Sequence, residues 1–230
     1  MTTVVRTGFD PGLWARCHRT AREEGLAPGL AALREALLPG LIPCGPGGHA
    51  VMPAALAGEA SRLWVDGMTT EDHVELETLG VVDLPGGPVA MLGHSREPGH
   101  VGAFSASAQP RTLWLRGLLW LRLGLSEGLR DACVTYLAGR TVGSSVLLQQ
   151  QLVKGALADV LLEHLEIRAV ITSAGERTED TLGRLHEQIT DADRELLHLL
   201  GASGYLAGGT GHAADVSELM AGVYVPGERS

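Results

Sequence analysis

The chain has almost no lysine. Lys154 is the only one, and arginine supplies every other basic side chain apart from histidine. Lysine and arginine together number 18 against 27 aspartates and glutamates, a formal net charge of −9. No basic run offsets that excess. An acidic chain without a segregated basic patch repels phosphate backbones, which excludes nucleic acid as a partner. Cysteine is scarce too: Cys17, Cys44 and Cys133 are odd in number, widely spaced and contain no CxxC pair. That excludes a disulfide framework and a structural zinc site, and suits a reducing cytoplasm. Long hydrophobic runs are missing. Trp114–Leu125 is apolar but carries Arg116 and Arg122, and it is shorter than the roughly 20 apolar residues a membrane span needs. The opening Met1–Thr7 has no apolar stretch of signal-peptide length. The expectation is a cytoplasmic protein with no membrane partner. Aromatics make up only 4% of a chain that is 45% hydrophobic, so the core must be built from Leu, Val and Ala, a composition that favours close-packed helices.

The pattern along the chain changes twice. Asp10–Glu24 reads as a helix, with Asp10 as N-cap, Pro11 in the first turn and Gly25 as the stop. Ala32–Leu38 reads as a second short helix, Pro43–Gly48 as a loop and Ala54–Leu56 as one helical turn. Leu63–Asp66, Val74–Glu77, Val81–Leu84 and Val89–Leu92 are short apolar or alternating runs punctuated by Gly and Pro, the signature of strands and hairpin turns. His94–Pro110 reads as a linker. Beyond it, helices are expected over about Thr112–Gly139, Ser145–Ser173, Thr178–Leu200 and Asp215–Gly222. On the second, Leu147, Leu148, Leu152, Ala156, Val160, Leu161 and Leu165 recur at helical period; on the third, Leu182, Leu185, Ile189, Leu196 and Leu200 do. The expected architecture is mainly α with a small β portion: a reduced α+β region over residues 1–109, then an antiparallel helical bundle over 110–230.

Particular residues then carry more than periodicity does. Tyr136 and Arg140, spaced as Tyr-x-x-x-Arg near the end of one helix, are followed without a gap by Gln151 and by Leu157-Ala158-Asp159. His198-Leu199-Leu200-Gly201-Ala202-Ser203-Gly204-Tyr205 follows, then Met220-Ala221-Gly222-Val223-Tyr224 and Gly227-Glu228-Arg229-Ser230. Earlier come Phe9-Asp10 with Trp14, and Met52-Pro53-Ala54-Ala55-Leu56-Ala57-Gly58-Glu59. In order and spacing these resemble the acyl-CoA dehydrogenase family, most closely its C-terminal helical domain, the N-terminal half being much shorter than in full-length relatives. Departures are visible. Gly143 stands where the family has phenylalanine, Ser144 where it has glycine and His198 where it has glutamine. Met68–Asp72 is the only trace of the strand that lies along the flavin.

The resemblance implies α,β-dehydrogenation of an acyl thioester, with hydride passing to FAD while a glutamate removes the α-proton. It makes Glu228 the candidate base. Aligned on Tyr224, the base position falls on Val225, so Glu228 serves only with the tail shifted by three residues. Arg140, Gln151, His198 and Gly201 become candidate FAD contacts, with Arg140 on the diphosphate, where a guanidinium fork suits phosphate oxygens. It also implies a homo-oligomer, or a hetero-oligomer with a related subunit. The competing reading is a degenerate subunit or scaffold that assembles with a full-length acyl-CoA dehydrogenase, lending Arg140 and Gln151 to its partner's flavin. A non-redox use of the pocket for proton chemistry is a third. No metal site is expected: Glu195-x-x-His198 is half of a di-iron pattern, and Glu97-x-x-His100 straddles Pro98-Gly99.

Overall fold

The computed structural model describes residues 11–58, 62–70, 74, 76–94, 104–106, 110–173, 175, 177–205 and 209–225. Two helices come first, α1 (Pro11–Glu24) and α2 (Leu26–Leu37). Seven short strands follow: β1 (Leu41–Cys44), β2 (His49–Pro53), β3 (Arg62–Val65), β4 (Met68–Thr70), β5 (Leu76–Val82), β6 (Val89–His94) and β7 (Phe104–Ala106). The long helix α3 (Arg111–Ala138) opens the bundle. A small hairpin of β8 (Thr141–Val142) and β9 (Ser145–Val146) leads through a 3-10 turn to α4 (Gln151–Thr172), α5 (Glu179–Leu200) and α6 (Thr210–Tyr224). The chain is thus mainly α with a small β portion.

The strands form two sheets, ordered β1-β3-β4-β7 and β2-β6-β5. Strand alternation sends successive side chains to opposite faces, and both faces are used. Ala50, Met52, Leu63, Ala90 and Leu92 pack with Ile42 and Cys44 in a core between the sheets. Their neighbours Val51, Trp64 and Val89 face the helices instead. The β3–β4 hairpin turns on Asp66-Gly67, both at positive φ (49° and 83°), the backbone a two-residue hairpin turn requires.

The main core is shared by all six helices, α4 entering through Ile167 and Ile171, with one face of the sheets. It includes Trp14, Leu33, Trp64, Trp114, Leu119, Ile189 and Tyr224. A second, smaller core lies at the other end of the bundle, made by Leu129, Cys133, Leu137, Val160, Leu196, Leu200 and Ala214.

Several expected boundaries move. α2 begins at Leu26 rather than Ala32. Gly25, at φ 103°, breaks the chain direction, and Pro28 falls in the first helical turn, where a missing N–H costs nothing. Pro43-Cys44, expected in a loop, belongs to β1. The two expected strands around Leu79 are one, β5, interrupted by a bulge between Thr78 and Gly80 that turns Leu79 out to solvent. Within the expected linker, Phe104–Ala106 forms β7 and pairs with β4. α4 starts at Gln151, not Ser145, because residues 145–149 are taken by β9 and the 3-10 turn. α6 is longer than expected, starting at Thr210 and ending at Tyr224. All five apolar residues expected to line the third bundle helix are buried. On α4 Val160, one of the expected residues, is buried with His164, Ile167 and Ile171, while Leu152, Leu161 and Leu165 are exposed.

Candidate functional site

The helices of the bundle alternate in direction, so α3 and α5 end, and α4 and α6 begin, over the same small core. That gathers Arg140, Gln151, His198 and Gly201 at one end, the end away from the sheets. The Arg140 guanidinium lies over the Tyr136 ring, 4.6 Å from its centroid. Arg140 is exposed and makes no ion pair among the described residues. Its carbonyl accepts a hydrogen bond from the Leu147 N–H at 2.8 Å, which pins the β8–β9 hairpin against the end of α3. Gln151 opens α4, whose first turn holds no acidic residue and whose N-cap makes no side-chain hydrogen bond. Its free N–H groups face outward as the positive end of the helix dipole. With Leu152, Gly155, Asp159 and Glu195, among others, Gln151 lines a cleft of about 650 Å³ between α4 and α5. His198 is 75% exposed and lies 3.9 Å from Glu195. Gly201 terminates α5 at φ 55°, ψ −138°, a conformation only glycine adopts readily. Glu228 lies outside the described residues.

The opposite end is closed. Tyr224, the last residue of α6, is buried. Its hydroxyl accepts the Val51 N–H at 3.0 Å and donates to the Pro43 carbonyl at 3.0 Å. The Tyr224 ring meets Trp114 edge-on at 5.6 Å, and Trp114 in turn meets Trp64 at 6.2 Å. A Cβ on Gly45 would fall 1.8 Å from the Val223 carbonyl oxygen, so only glycine lets the turn after β1 come this close to α6. Sheet and bundle are welded here. A second cleft, of about 310 Å³, runs between α5 and α6 past His186, Thr190, Arg194, Glu218 and Val225, and the Arg194–Glu218 ion pair spans its helices at 2.7 Å.

Between the two ends lies a buried polar network with no counterpart among the expected site residues. Arg122 is fully buried. Its guanidinium donates to Ser217 Oγ (2.9 Å), the His186 carbonyl (2.9 Å), Thr190 Oγ1 (2.8 Å) and His186 Nδ1 (3.0 Å). Because Arg can only donate, Nδ1 accepts, and His186 Nε2 carries the proton that reaches the Leu115 carbonyl at 3.1 Å. Burial lowers the Arg122 pKa to about 10, which leaves it charged. By the same logic Arg130 donates to His164 Nδ1, His164 Nε2–H to Ser126 Oγ at 2.8 Å, and Ser126 to Asp193. Asp193 is buried, its Oδ1 accepts no hydrogen bond, and burial raises its pKa to about 7. Nearby, Glu127 joins Arg22, Arg168 and His18. Burial works against its charge, but the hydrogen bonds and charges of His18 and Arg168 prevail and hold its pKa at about 2. Arg122 was visible in the sequence as a charge inside an apolar helical run. Its partners, 64 to 95 residues away, were not.

The three cysteines are free and buried, and burial lifts their thiols to about 11 or 12, which makes them poor nucleophiles. Among the described residues, no group of three or more His, Cys, Asp or Glu is placed to hold a metal ion, and no helix is long and apolar enough to cross a membrane.

A mainly helical chain, with an antiparallel bundle packed on two small sheets, defines the class; comparison with solved structures then identifies the fold as that of the acyl-CoA dehydrogenases. The steroid ACAD Tcur3481-Tcur3483 (G363A variant) superposes with a TM-score of 0.54 at 16% identity, over 91% of this chain and 71% of that one. The ChsE4-ChsE5 complex from Mycobacterium tuberculosis gives 0.53 at 16% identity, over 91% and 75%. A glutaryl-coenzyme A dehydrogenase in complex with glutaryl-CoA gives 0.51 at 11% identity, over 78% of this chain and 56% of that one. At these identities the likeness concerns the fold, and this chain spans little more than half of the glutaryl-coenzyme A dehydrogenase. No protein-family profile matches the sequence, and no curated protein does.

FAD, the cofactor the resemblance implies, presents a diphosphate half and a ring half. The open end of the bundle suits the first: a solvent-facing guanidinium, in no ion pair among the described residues, beside a helix N-terminus with no side-chain cap. The closed end does not suit the second, because Tyr224, Trp114 and Gly45 fill the junction between sheet and bundle within this chain.

Proposed function

We propose that this chain is a subunit of an acyl-CoA-dehydrogenase-type assembly, whose open bundle end binds the diphosphate of an FAD seated mainly on a partner subunit. The observation that carries this reading is the placement of Arg140. It is exposed, unpaired by any carboxylate among the described residues and stacked on Tyr136, which holds the guanidinium in one orientation. Gln151 at the start of α4 would add a side-chain donor, with His198 and Gly201 at the rim. The assembly's reaction would be α,β-dehydrogenation of an acyl thioester, FAD accepting the hydride and a glutamate removing the α-proton.

A second reading gives the base to this chain. Glu228 follows Val225 by three residues, at most about 10 Å of chain, and Val225 lines the α5–α6 cleft. That cleft lies at the far end of α6 from Arg140. Fifteen helical residues separate the two by about 22 Å, so the base and the diphosphate contact of one chain would serve different parts of an extended cofactor, or two cofactors.

Titration of the purified protein with FAD at low salt tests both. Under the first reading FAD binds weakly, Arg140→Gln weakens it at least tenfold, and the ring spectrum stays that of free flavin. Binding that is indifferent to both Arg140→Gln and Gln151→Ala overturns it. A yellow protein bleached by an acyl-CoA, and no longer bleached in Glu228→Gln, would establish the second.

A further inference from the structure

One group in the buried network is left half-served by its surroundings. Asp193 faces inward from α5 where the two cores meet, on the same side of the helix as Ile189 of the main core and Leu196 of the small one. Ser126 donates a hydrogen bond to it. Its Oδ1 accepts none, and the carboxyl makes no ion pair among the described residues. A carboxylate taken out of water needs a paired cation or several donors to keep its charge. With a single hydroxyl for company Asp193 holds its proton instead, and burial raises its pKa to about 7.

Few charges face it. α3 runs beside α5 in the same direction and presents Arg122, Ser126 and Arg130, each one turn further on. Arg122 is committed by four hydrogen bonds, to Ser217, Thr190 and both the ring and the carbonyl of His186. Arg130 is held by two, to His164 Nδ1 at 3.3 Å and to Asp131 at 3.0 Å. α4 presents His164, whose Nε2–H donates to Ser126 at 2.8 Å. Burial lowers its pKa to about 4, so it is neutral wherever Asp193 titrates. α6 presents Glu218, which opposes a charge on Asp193 and is itself paired with Arg194 at 2.7 Å. Arg130 is therefore the cation able to change partners, one helical turn from the serine that touches Asp193.

Ser126, His164 and Asp193 have the composition of a hydrolytic triad without its order. The carboxyl meets the serine, and Arg130 takes the Nδ1 that a triad's carboxylate would hold. His164 Nε2 already carries a proton and can take none from Ser126. The cluster is arranged to respond to charge rather than to attack a substrate.

We propose that Asp193 and Arg130 form a proton-operated latch on the open end of the bundle. In the closed state Asp193 is protonated and Arg130 holds His164 and Asp131. When Asp193 gives its proton to solvent, the buried carboxylate draws Arg130 away from His164 and pairs with it. His164 ties the middle of α4 to α3, while the Arg168–Glu127 and Arg116–Ile171 carbonyl contacts tie its later turns. The switch therefore frees the first half of α4, with Gln151, and the last turns of α5, and leaves the aromatic end in place. It goes beyond the cofactor reading and holds whatever the open end binds.

Hydrogen exchange by mass spectrometry at pH 6 and pH 8, corrected for the intrinsic base-catalysed rate, reads the latch. Protection of residues 152–163 and 194–200 should fall at least tenfold more between the two than that of residues 113–121. Asp193→Asn cannot ionise and should abolish that difference. A second readout is the Asp193 carboxyl carbon followed by NMR. Its midpoint should lie near 7 in the unmodified chain and rise by at least one pH unit in Arg130→Gln, which offers no charge. Arg130→Lys, which keeps one, should shift it less. Equal loss of protection along the bundle, or the same local loss in Asp193→Asn, overturns the latch. So does a midpoint that Arg130→Gln leaves where it was, which would make Arg122 the counter-ion. If Asp193→Asn does not fold, the two Arg130 variants decide the matter by that midpoint.

Discussion

Near its start α3 turns Trp114 between Trp64 and Tyr224, and the sheets close over it. Near its end the same helix leaves Tyr136 half-buried against the small core, and Arg140, two residues past the helix, lies exposed over that ring. The first end is held by large aromatic contacts and by hydrogen bonds from β-strand backbone to a buried tyrosine. The second rests on a small aliphatic core whose polar groups point outward. Rigidity and recognition are thereby divided along one helix. What anchors the chain's own sheets lies at one end, and what is free to meet a ligand or partner lies at the other.

The largest effect that would break this contrast is loss of the aromatic stack. Trp114→Ala empties a buried indole site and should cost about 3–5 kcal/mol, read as a lower urea midpoint. Tyr136→Ala at the open end should cost much less stability while weakening FAD binding. Equal losses at the two ends would mean that they are not packed differently.

The network between the ends should make stability depend on pH in two directions. Asp193 is raised to about 7 in the folded chain from about 3.9 when unfolded. Its contribution is therefore fully present below about pH 4 and is lost as pH rises through 7. His164 and His186 are lowered, mainly by burial, to about 4 and about 3. Their contribution is present above about pH 6.5 and is lost as pH falls toward those values. Asp193→Asn should flatten the decline between pH 4 and 7, by at most a few kcal/mol, and leave the acid-side loss in place. Chemical denaturation at pH 5, 6, 7 and 8 separates the two. An unchanged slope would place the titration elsewhere.

Tyr224→Phe is the narrower probe of the closed end. It keeps the ring and strands the Val51 N–H and the Pro43 carbonyl, a loss of about 1–3 kcal/mol. FAD affinity, governed at the other end, should not change. At the open end Arg140→Lys keeps the charge and loses the planar fork, so FAD affinity should fall about tenfold with the urea midpoint unmoved.

How much of this was legible in the sequence follows the same division. The apolar period of α5 identified its buried stripe because only one side of that helix is apolar. On α4 it misled: Leu161 and Leu165 face solvent, and the buried stripe includes His164, which no hydropathy pattern nominates. Gly25 was readable as a stop. The expected start at Ala32 left out Pro28 and Gly29, which sit inside α2, where context overrides propensity. Tyr136, Arg140 and Gln151 could be picked out by their resemblance to a family motif, because they are near neighbours in the chain and one short stretch carries it. The Arg122–His186–Ser217 and Ser126–His164–Asp193 contacts could not, since they join helices that only tertiary packing brings together.

The smallest predicted effect bears on the exposed side of α4. Leu162 is 63% exposed, so Leu162→Gln should change stability by no more than about 0.5 kcal/mol. Its value lies in the concentration dependence. If that side is bare in the free chain, the urea midpoint is the same in dilute and concentrated protein, for the unmodified chain and the variant alike. A midpoint that rises with concentration in the unmodified chain and not in Leu162→Gln would mean that another copy already covers it, because association stabilises by mass action. The open end would then belong to a self-assembled oligomer, and Asp159, Glu163 and Glu166 would have to be neutralised within it.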